Sequence, residues 1–545
     1  MARWSEDAAR DISEKAWTEK GEWQELLKEC YEFALADRNP YRDNGTGRAQ
    51  GQSGTKGKDK SSRRVYDSTL GTDAVRLTNR IQYELVPIGS KWAEFMPGPF
   101  VKKEQAEAAR VDLESMRELL FTAIALSNFD LSIAEWLLEL VVVGTACMLI
   151  QQGDDDNPIV YQTVTQAHVA FREGVFGKID LISRKHKIRY SLIDQTWTDA
   201  KLPEREPGKD DPDCDLDEIC YWHPKDKTWY YDVLMTGGIA NVKNKRIVER
   251  EYDVCPWVIA RWSKATGEAQ GRSLVMQALP DARVLSAVKS YLLRHAALAI
   301  GGVFMVRNDG VVNANNVRIF PGATIPVRAT GGTAGASIAP LPVSGDINLA
   351  QLVINDLVDS IHKIMMNDGM PEIKDGVRTA TELLERLKEL QQSMGAPFSR
   401  VLREGIIPML EVTISILGKM NVIPLAKGQK VRLNNGQIQV KFASPLVQGQ
   451  SLREVEVAQQ AMQITAAAAG PEGGTQAVAV SFKIEDYGAW VGAKLGVDPR
   501  IMRNADERKT FQENAASVAA AAMGPTVGPP GGINQQQAPP MAMAA

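Results

Sequence analysis

Cysteine is scarce in this chain. Five occur in 545 residues, at Cys30, Cys147, Cys214, Cys220 and Cys255. No two stand in a CxxC spacing and the number is odd, which argues against a zinc ribbon or a disulfide framework. Idle thiols in a reducing compartment fit better. Long apolar runs are lacking too. The longest, Leu140 to Ile150, is interrupted by Gly144 and Thr145 and falls short of the ~18 residues that a membrane span needs. The opening MARWSEDAARD carries no apolar segment of the secretory type. A basic excess is also missing, since the net charge is -4. Proteins that hold DNA tightly draw most of their affinity from phosphate neutralisation by Lys and Arg. The expectation is a soluble protein made and used in a cytoplasm, touching DNA weakly or locally if at all.

Catalytic signatures are equally sparse. The five histidines, His168, His186, His223, His295 and His362, stand in no HExxH, nucleophile-elbow or zinc-deaminase pattern. His295 and His362 fall on helical stretches, where a structural histidine is the ordinary reading. Residues 43–62, DNGTGRAQGQSGTKGKDKSS, invite comparison with a phosphate-binding loop. The spacing fails: Gln52 stands where the first glycine belongs and Asp59 follows Gly57-Lys58. A solvated loop is the leading reading there. Sparse nucleic-acid contact through Arg48, Lys56, Lys58, Lys60, Arg63 and Arg64 is the second. The acidic run Asp210 to Glu218 lacks the glycine and terminal glutamate offsets of a calcium loop and reads as solvated. No cofactor, no metal and no enzymatic activity are expected.

What is present is ordinary globular composition, 44% hydrophobic and 24% charged, with alternating stretches of helical and strand periodicity. Residues 1–38 read as helical until Asn39-Pro40, and 64–92 as a further helix ahead of Pro97-Gly98-Pro99. Residues 104–140 keep helical spacing through Leu113, Met116, Leu120, Ile124, Ile133, Trp136, Leu137 and Leu140. Between about 141 and 262 the period shifts towards two. Ile159 to Tyr161 and Lys187 to Leu192 read as strands, and Glu218 to Trp222 with Thr228 to Val233 as a hairpin turning at His223 to Lys227. Helical spacing returns at 274, where Pro280-Asp281 suits a first turn. It runs through Leu285, Val288, Leu292, Ala296 and Ala299 to Gly301-Gly302. After a β-like stretch at 303–343, a stripe of Ile354, Leu357, Val358, Ile361, Ile364 and Met365 ends at Asn367-Asp368-Gly369. Thr379 and Glu382 form a capping box, Pro408 should kink the following helix, and a hairpin is expected at Asn435-Gly436. A helix follows from 451 to about 468. Residues 524–545 are low-complexity.

The order of these elements, with short segments at Arg64–Thr69, Ile259–Trp262, Gly271–Asp281, Thr379–Glu382 and Phe442–Leu446, resembles the head-to-tail connector (portal) family of short-tailed DNA bacteriophages. The resemblance covers residues 3 to 510. It implies an α+β, mainly α, portal fold with wing, stem, clip and crown regions that assembles as a ring, commonly a homododecamer. On this chain it implies a wing over 1–273, stem helices at 274–300 and 346–367, and a clip at 301–345. It further implies a tunnel loop at 368–378, a wing helix and hairpin at 379–449, a crown at 450–510 and a C-terminal tail at 511–545. The implied role is structural: a channel at one capsid vertex through which double-stranded DNA is packaged and ejected. Implied partners are further copies of itself, the terminase large subunit, tail adaptor proteins, and scaffolding, internal core and major capsid proteins, with no membrane. The implied location is the virion, after assembly in the host cytoplasm. Lys374 and Arg378 of the tunnel loop would touch passing phosphates. Two other readings stand beside it: another capsid component, such as scaffold or internal core, and a DNA-binding clamp. Scaffolds are typically more charged and helical than this chain, and a clamp would carry the basic excess missing here.

Overall fold

Serine at position 5 followed by Glu6 and Asp7 is a helix start. The Ser5 side chain accepts from the Ala8 N–H, and the two carboxylates face the positive end of the helix dipole. This is α1 (Glu6–Gly21). In the computed structural model it is the first of a series of helices and strands described over residues 3–43, 65–154, 157–203, 211–238, 244–301, 347–367, 397–423, 438–442 and 445–495, with short pieces at 304–306, 338–340, 395, 433, 507 and 510–511. The chain divides into two units, Met1–Leu446 and Val447–Ala545.

The first unit is built around two antiparallel sheets. Strands β2 (Thr145–Gln152), β3 (Ile159–Val164) and β9 (Trp257–Arg261) form one, in the order β3-β2-β9. Strands β4 (Val169–Glu173), β5 (Ile179–Arg189), β6 (Asp213–His223), β7 (Thr228–Gly237) and β8 (Lys245–Tyr252) form the other, each paired with its neighbour in sequence. Successive strand residues point to opposite faces, so period-two apolar patterning supplies two cores at once. One face of the five-stranded sheet, with Phe171, Ile182, Cys220, Tyr231 and Val233, buries against Cys147 and Leu149 of β2, Val164 of β3 and Ile259 of β9. The other face, with Leu181, Ile219, Tyr221 and Leu234, is covered by α1. Small side chains at Ala9 and Ala16 let that helix lie close, and Trp4 stacks on Tyr221 with centroids 3.8 Å apart. Polar groups sealed beneath α1 are matched: Ser13 hydroxyl donates to Asp217 at 2.7 Å and Trp17 Nε1–H to Ser183 at 2.8 Å.

The expected hairpin is there. Tyr221 faces Tyr230, Trp222 faces Trp229, and Lys227 closes the turn with φ of 52°. The expected strand Lys187 to Leu192 is only half right. Pairing with β6 ends at Arg189, and Tyr190–Thr196 turns into helix α6, whose Ile193 and the following Trp197 plug the open end of the sandwich core. Tertiary burial overrides the local strand preference there.

Helices α2 (Gln24–Ala34), α3 (Thr69–Leu85), α5 (Phe129–Val143) and α7 (Leu274–Gly301) pack together beside the sandwich. The single helix expected at 1–38 is broken after Gly21 into α1 and α2. That expected over 104–140 is broken at Leu126 to Asn128, giving α4 (Lys103–Ala125) and α5. Asn128 and Ser132, at the start of α5, bond the backbone of Tyr161 and so cover part of the outer edge of β3. Trp92 to Phe95 lead into strand β1 (Ala93–Pro97), not the end of a helix. Its partner is Ile438–Phe442, far along the chain, with Ala93 opposite Phe442. The Asn435-Gly436 turn lies outside the described residues, so this strand is seen paired to β1 alone.

A buried polar seam runs between α1, α2, α5 and β2. Lys20 Nζ donates to the Gln166 and Ala167 carbonyls, the latter at 2.8 Å. Tyr31 donates to Glu139 at 2.5 Å. Burial pushes the Glu139 carboxyl up to about 7 and pulls the Lys20 amine down to about 7. Among the described residues the second unit holds α10 (Pro445–Ala468), which starts just ahead of its boundary, α11 (Gly470–Ser481) and α12 (Ile484–Leu495), with Gly470 at φ 74° making the first corner.

Candidate functional site: the paired helices and the segment between them

Helix α7 begins where Ser273 accepts from the Met276 N–H, so it starts a turn earlier than Pro280 suggests. Pro280 therefore lies inside the helix, where it cannot donate to the carbonyl four residues back. Its start is keyed to the sandwich. Gly144 ends α5 with φ of 76°, and a Cβ there would lie 2.6 Å from the backbone of Arg272 and of Ser273. Only glycine meets both demands.

Helix α8 (Ile347–Ile364) packs along α7. Its stripe is placed as the spacing predicts: Ile354, Ile361 and Met365 are buried. At their inner ends the two helices are tied to α2 and α3 by charge. Arg283 pairs with Glu29 and Lys289 with Asp67. Ser360 hydroxyl donates to Asp281 at 2.6 Å, and His362 Nδ1 lies 2.5 Å from Asp73 Oδ2. Asp73 is fully buried, so breaking its contacts would strand a desolvated carboxylate.

Along their lengths the helices also expose apolar side chains. On α7 these are Val284, Tyr291, Leu293 and Ile300, the last 88% exposed; on α8 they are Leu349, Leu352 and Val353. Val284 and Tyr291 share a side of α7, as do Leu293 and Ile300. The second pair stands about 180° round the helix from the first, at 100° per residue. A helix that presents apolar groups on opposed flanks has two surfaces to cover, not one.

Helix α8 closes in a Schellman turn: Met366 N–H donates to Lys363 O at 3.1 Å and Asn367 N–H to His362 O at 2.8 Å. Met366 takes the left-handed conformation, φ 57°, that glycine usually fills. The break thus falls one residue before the Asn367-Asp368-Gly369 signal. Asn367 then fastens the exit by donating to Asp73 O at 3.1 Å, and Arg80 donates to Met366 O at 3.3 Å.

The chain is described again continuously from 397, in a helix interrupted by one π turn (Leu402–Ile406) and continuing as α9 (Ile407–Lys419). Pro408 is the cause. Without an N–H it cannot close the ordinary bond to Glu404 O, and the wider turn absorbs the loss. Gly405 lies in that turn against the Trp136 ring, where an added Cβ would come within 2.4 Å of Cη2. The turn aims Glu404 at Arg261, whose Nε and Nη2 donate to its two oxygens at 3.0 and 2.9 Å. Arg400 adds a further bond to Glu404 at 2.9 Å, and Arg261 also reaches Glu173 at 3.1 Å. Burial alone would lower the Arg261 pKa, but the two carboxylates outweigh it and hold the guanidinium charged.

The chain is therefore held at Asp73 where it leaves α8 and, in the helix described from 397, by Arg261. The residues picked out for DNA contact, Lys374 and Arg378, and the loop cations Lys56, Lys58 and Lys60, all lie outside the described residues, as does the Thr379–Glu382 box. What the sequence reading missed are the anchors. Asp73 had a signal: it interrupts the buried stripe Leu70, Ala74, Leu77, Ile81 of α3. Arg261 had one too, as the one charge ending the apolar strand Trp257 to Ala260. Glu404 had none, because its aim depends on the π turn. Among the described residues no group of three or more His, Cys, Asp or Glu is placed to hold a metal ion, and no helix is long and apolar enough to cross a membrane. Burial lowers His168 to about 4 and His186 well below its usual value, leaving both neutral at pH 7.

Comparison with known proteins points one way. A family model described as bacteriophage head to tail connecting protein matches residues 6–502. The portal protein of Escherichia phage T7 is 18% identical over 429 residues, 77% of this chain and 76% of the relative. The portal protein of Enterobacteria phage T3 is 20% identical over 364 residues, 64% of this chain and 65% of the relative. A chain described as the probable portal protein of Bordetella phage BPP-1 is 22% identical over 514 residues, 89% of this chain and 86% of the relative. Among solved structures, a chain of the virion of a native gene transfer agent particle aligns over 78% of this chain and 92% of its own, with 12% identity and a TM-score of 0.36.

Proposed function

The chain belongs to the bacteriophage head to tail connecting protein family, and from that premise we propose that it assembles as a ring, commonly of twelve copies, at one vertex of the capsid. Double-stranded DNA enters through the ring during packaging and leaves through it at ejection. The observation that carries this reading is the family match over residues 6–502.

Support comes from the exposed faces of α7. A closed ring needs heterologous contacts, in which one patch of each copy meets a different patch of the next. Apolar groups on opposed flanks of one helix supply two such patches on each copy. In this reading α7 and α8 are the stem, and residues 301–345 are the clip, which receives the terminase large subunit first and tail adaptors later. Residues 1–273 and 379–449 build the wing, 450–510 the crown, and 511–545 a tail. Scaffolding, internal core and major capsid proteins meet the ring from inside and around the head. The chemistry of the ring is passive. Duplex DNA carries one charge per ~1.7 Å of axis, so a strongly basic wall would act as a brake. A net charge of -4 with scattered cations lets DNA slide.

Residues 368–378 are the tunnel loop, and Lys374 and Arg378 touch phosphates in passing. Charge reversal at both positions is expected to leave particles assembled but poorly filled; full heads at normal titre would reject that role. For the protein as a whole, antibody labelling of particles should mark a single vertex, the one bearing the tail. Label spread through the head interior would favour the scaffold or internal-core reading instead.

A further inference from the structure

We propose that Cys220 and Cys255 are a redox-closable pair, joined in an intramolecular disulfide when the protein meets a peroxide-class oxidant and reopened by thiol reductant. Their sulfurs lie 3.9 Å apart. Cys220 is fully buried in the middle of β6, inside the core between the two sheets. Cys255 is half-buried in the short connection between β8 and β9 and packs against the same core. Cys30 stands apart, in α2.

A disulfide needs an S–S distance of about 2.05 Å, so the sulfurs must approach by roughly 2 Å. β6 is hydrogen-bonded to β5 on one side and β7 on the other, which holds Cys220 in place. Cys255 belongs to no strand, so the adjustment falls on its connection. The partly exposed thiol reacts first. The Cys255 thiolate attacks one peroxide oxygen, the O–O bond breaks, and a sulfenic acid forms with loss of one water after proton transfer. The Cys220 thiol then attacks the sulfenic sulfur, the S–O bond breaks, and a second water leaves. Two thiols and one hydrogen peroxide thus give one disulfide and two waters. Burial holds Cys220 well above the ordinary thiol range, which disfavours its thiolate and leaves the opening attack to the more accessible Cys255.

The bond has a mechanical consequence. Cys220 belongs to the five-stranded sheet, while Cys255 leads directly into Trp257 of the three-stranded one. Closing it staples the two sheets. A reducing host interior keeps the staple open during assembly, and the oxidising medium outside closes it after release. That timing rests on the connector reading; the cross-link itself does not.

The test treats the purified full-length protein with hydrogen peroxide, then blocks remaining thiols with an alkylating agent under denaturing conditions. Mass spectrometry should show loss of the mass of two hydrogens, two fewer alkylated cysteines and a Cys220–Cys255 cross-linked peptide, all reversed by dithiothreitol. The oxidised protein should melt several degrees higher than the reduced one. Cys255→Ser, at a half-exposed position, should abolish the cross-link and the shift while melting like the reduced wild type. Cys220→Ala provides a second route to the same loss. Five alkylatable thiols after oxidation, a sulfinic acid at Cys255, or a bond from Cys255 to any other cysteine would overturn the proposal. A cross-link in purified protein that is missing from released particles would leave the pair intact and reject only its timing.

Discussion

The β sandwich and the paired helices solve the problem of burial in opposite ways. Both faces of the five-stranded sheet are covered within the chain, one by β2, β3 and β9 and the other by α1. Beneath α1 the buried Ser13, Ser183 and Asp217 bond one another. Helices α7 and α8 bury one stripe each and leave Tyr291, Leu293, Ile300, Leu349 and Leu352 in solvent. Apolar groups left exposed on both flanks of one helix suit contact with other molecules. The sandwich is complete as a fold, whereas on the proposed reading the helices are completed by neighbouring copies.

Four variants break or sharpen that contrast. The largest effect is expected from Tyr291→Glu combined with Leu293→Glu, which puts a charge on each flank of α7. Each intersubunit contact should weaken by about 4 kcal/mol, at the scale of interface hot spots. Sedimentation should then show monomers, while the circular dichroism melt stays near wild type. Loss of folding in that variant would mean these side chains serve the monomer core.

Arg261→Ala reverses the pattern. It takes from Glu404 and Glu173 their most buried partner, leaving them Arg400 and Lys264, and should cost about 2 kcal/mol of stability in urea unfolding, the scale of hydrogen bonds between charged groups. An unchanged midpoint would show the cluster to be solvated. Glu139→Gln acts through protons. The carboxyl of Glu139 is raised from the ordinary 4.5 to about 7, so the folded state binds its proton more tightly than the unfolded chain does. Its stabilising share is full below pH 4.5 and is lost as pH rises through about 7, with a slope of at most ~1.4 kcal/mol per pH unit. The variant should flatten that fall; an identical pH profile would remove Glu139 from the account. Smallest is Phe176→Gly. Phe176 sits at φ 59° with its ring 95% exposed, so glycine should stabilise the isolated chain by about 1 kcal/mol or less, read as a rise in melting temperature. A drop would mean that the ring packs on something in solution.

The contrast also explains what was legible in the sequence. Period-two spacing located the strands between 145 and 261, and Gly301-Gly302 marked a helix end closely, whereas α2 ends at Ala34, before the Asn39-Pro40 signal. Stripes such as Ile354, Ile361 and Met365 announced which side of α8 is buried. The break at Leu126 to Asn128, which has no glycine or proline, left little trace, whereas the one at Met366 was announced one residue late by Asn367-Asp368-Gly369. Pairings between distant segments, Ala93 with Phe442 or Arg261 with Glu404, have no local signature at all. Within the candidate site, the buried stripe of α8 could be read from spacing, while the exposed flanks and the ion pairs that anchor the helices required three dimensions. Lys374, Arg378, Lys56, Lys58 and Lys60 rest on sequence alone.

The central claim is that the exposed flanks of α7 and α8 meet further copies of the chain. Negative-stain imaging of the purified full-length protein tests it directly. The account predicts closed rings with a central hole wide enough for duplex DNA, their subunits joined through these helices. Particles that remain single copies at micromolar concentration, with α7 and α8 still folded, would contradict it.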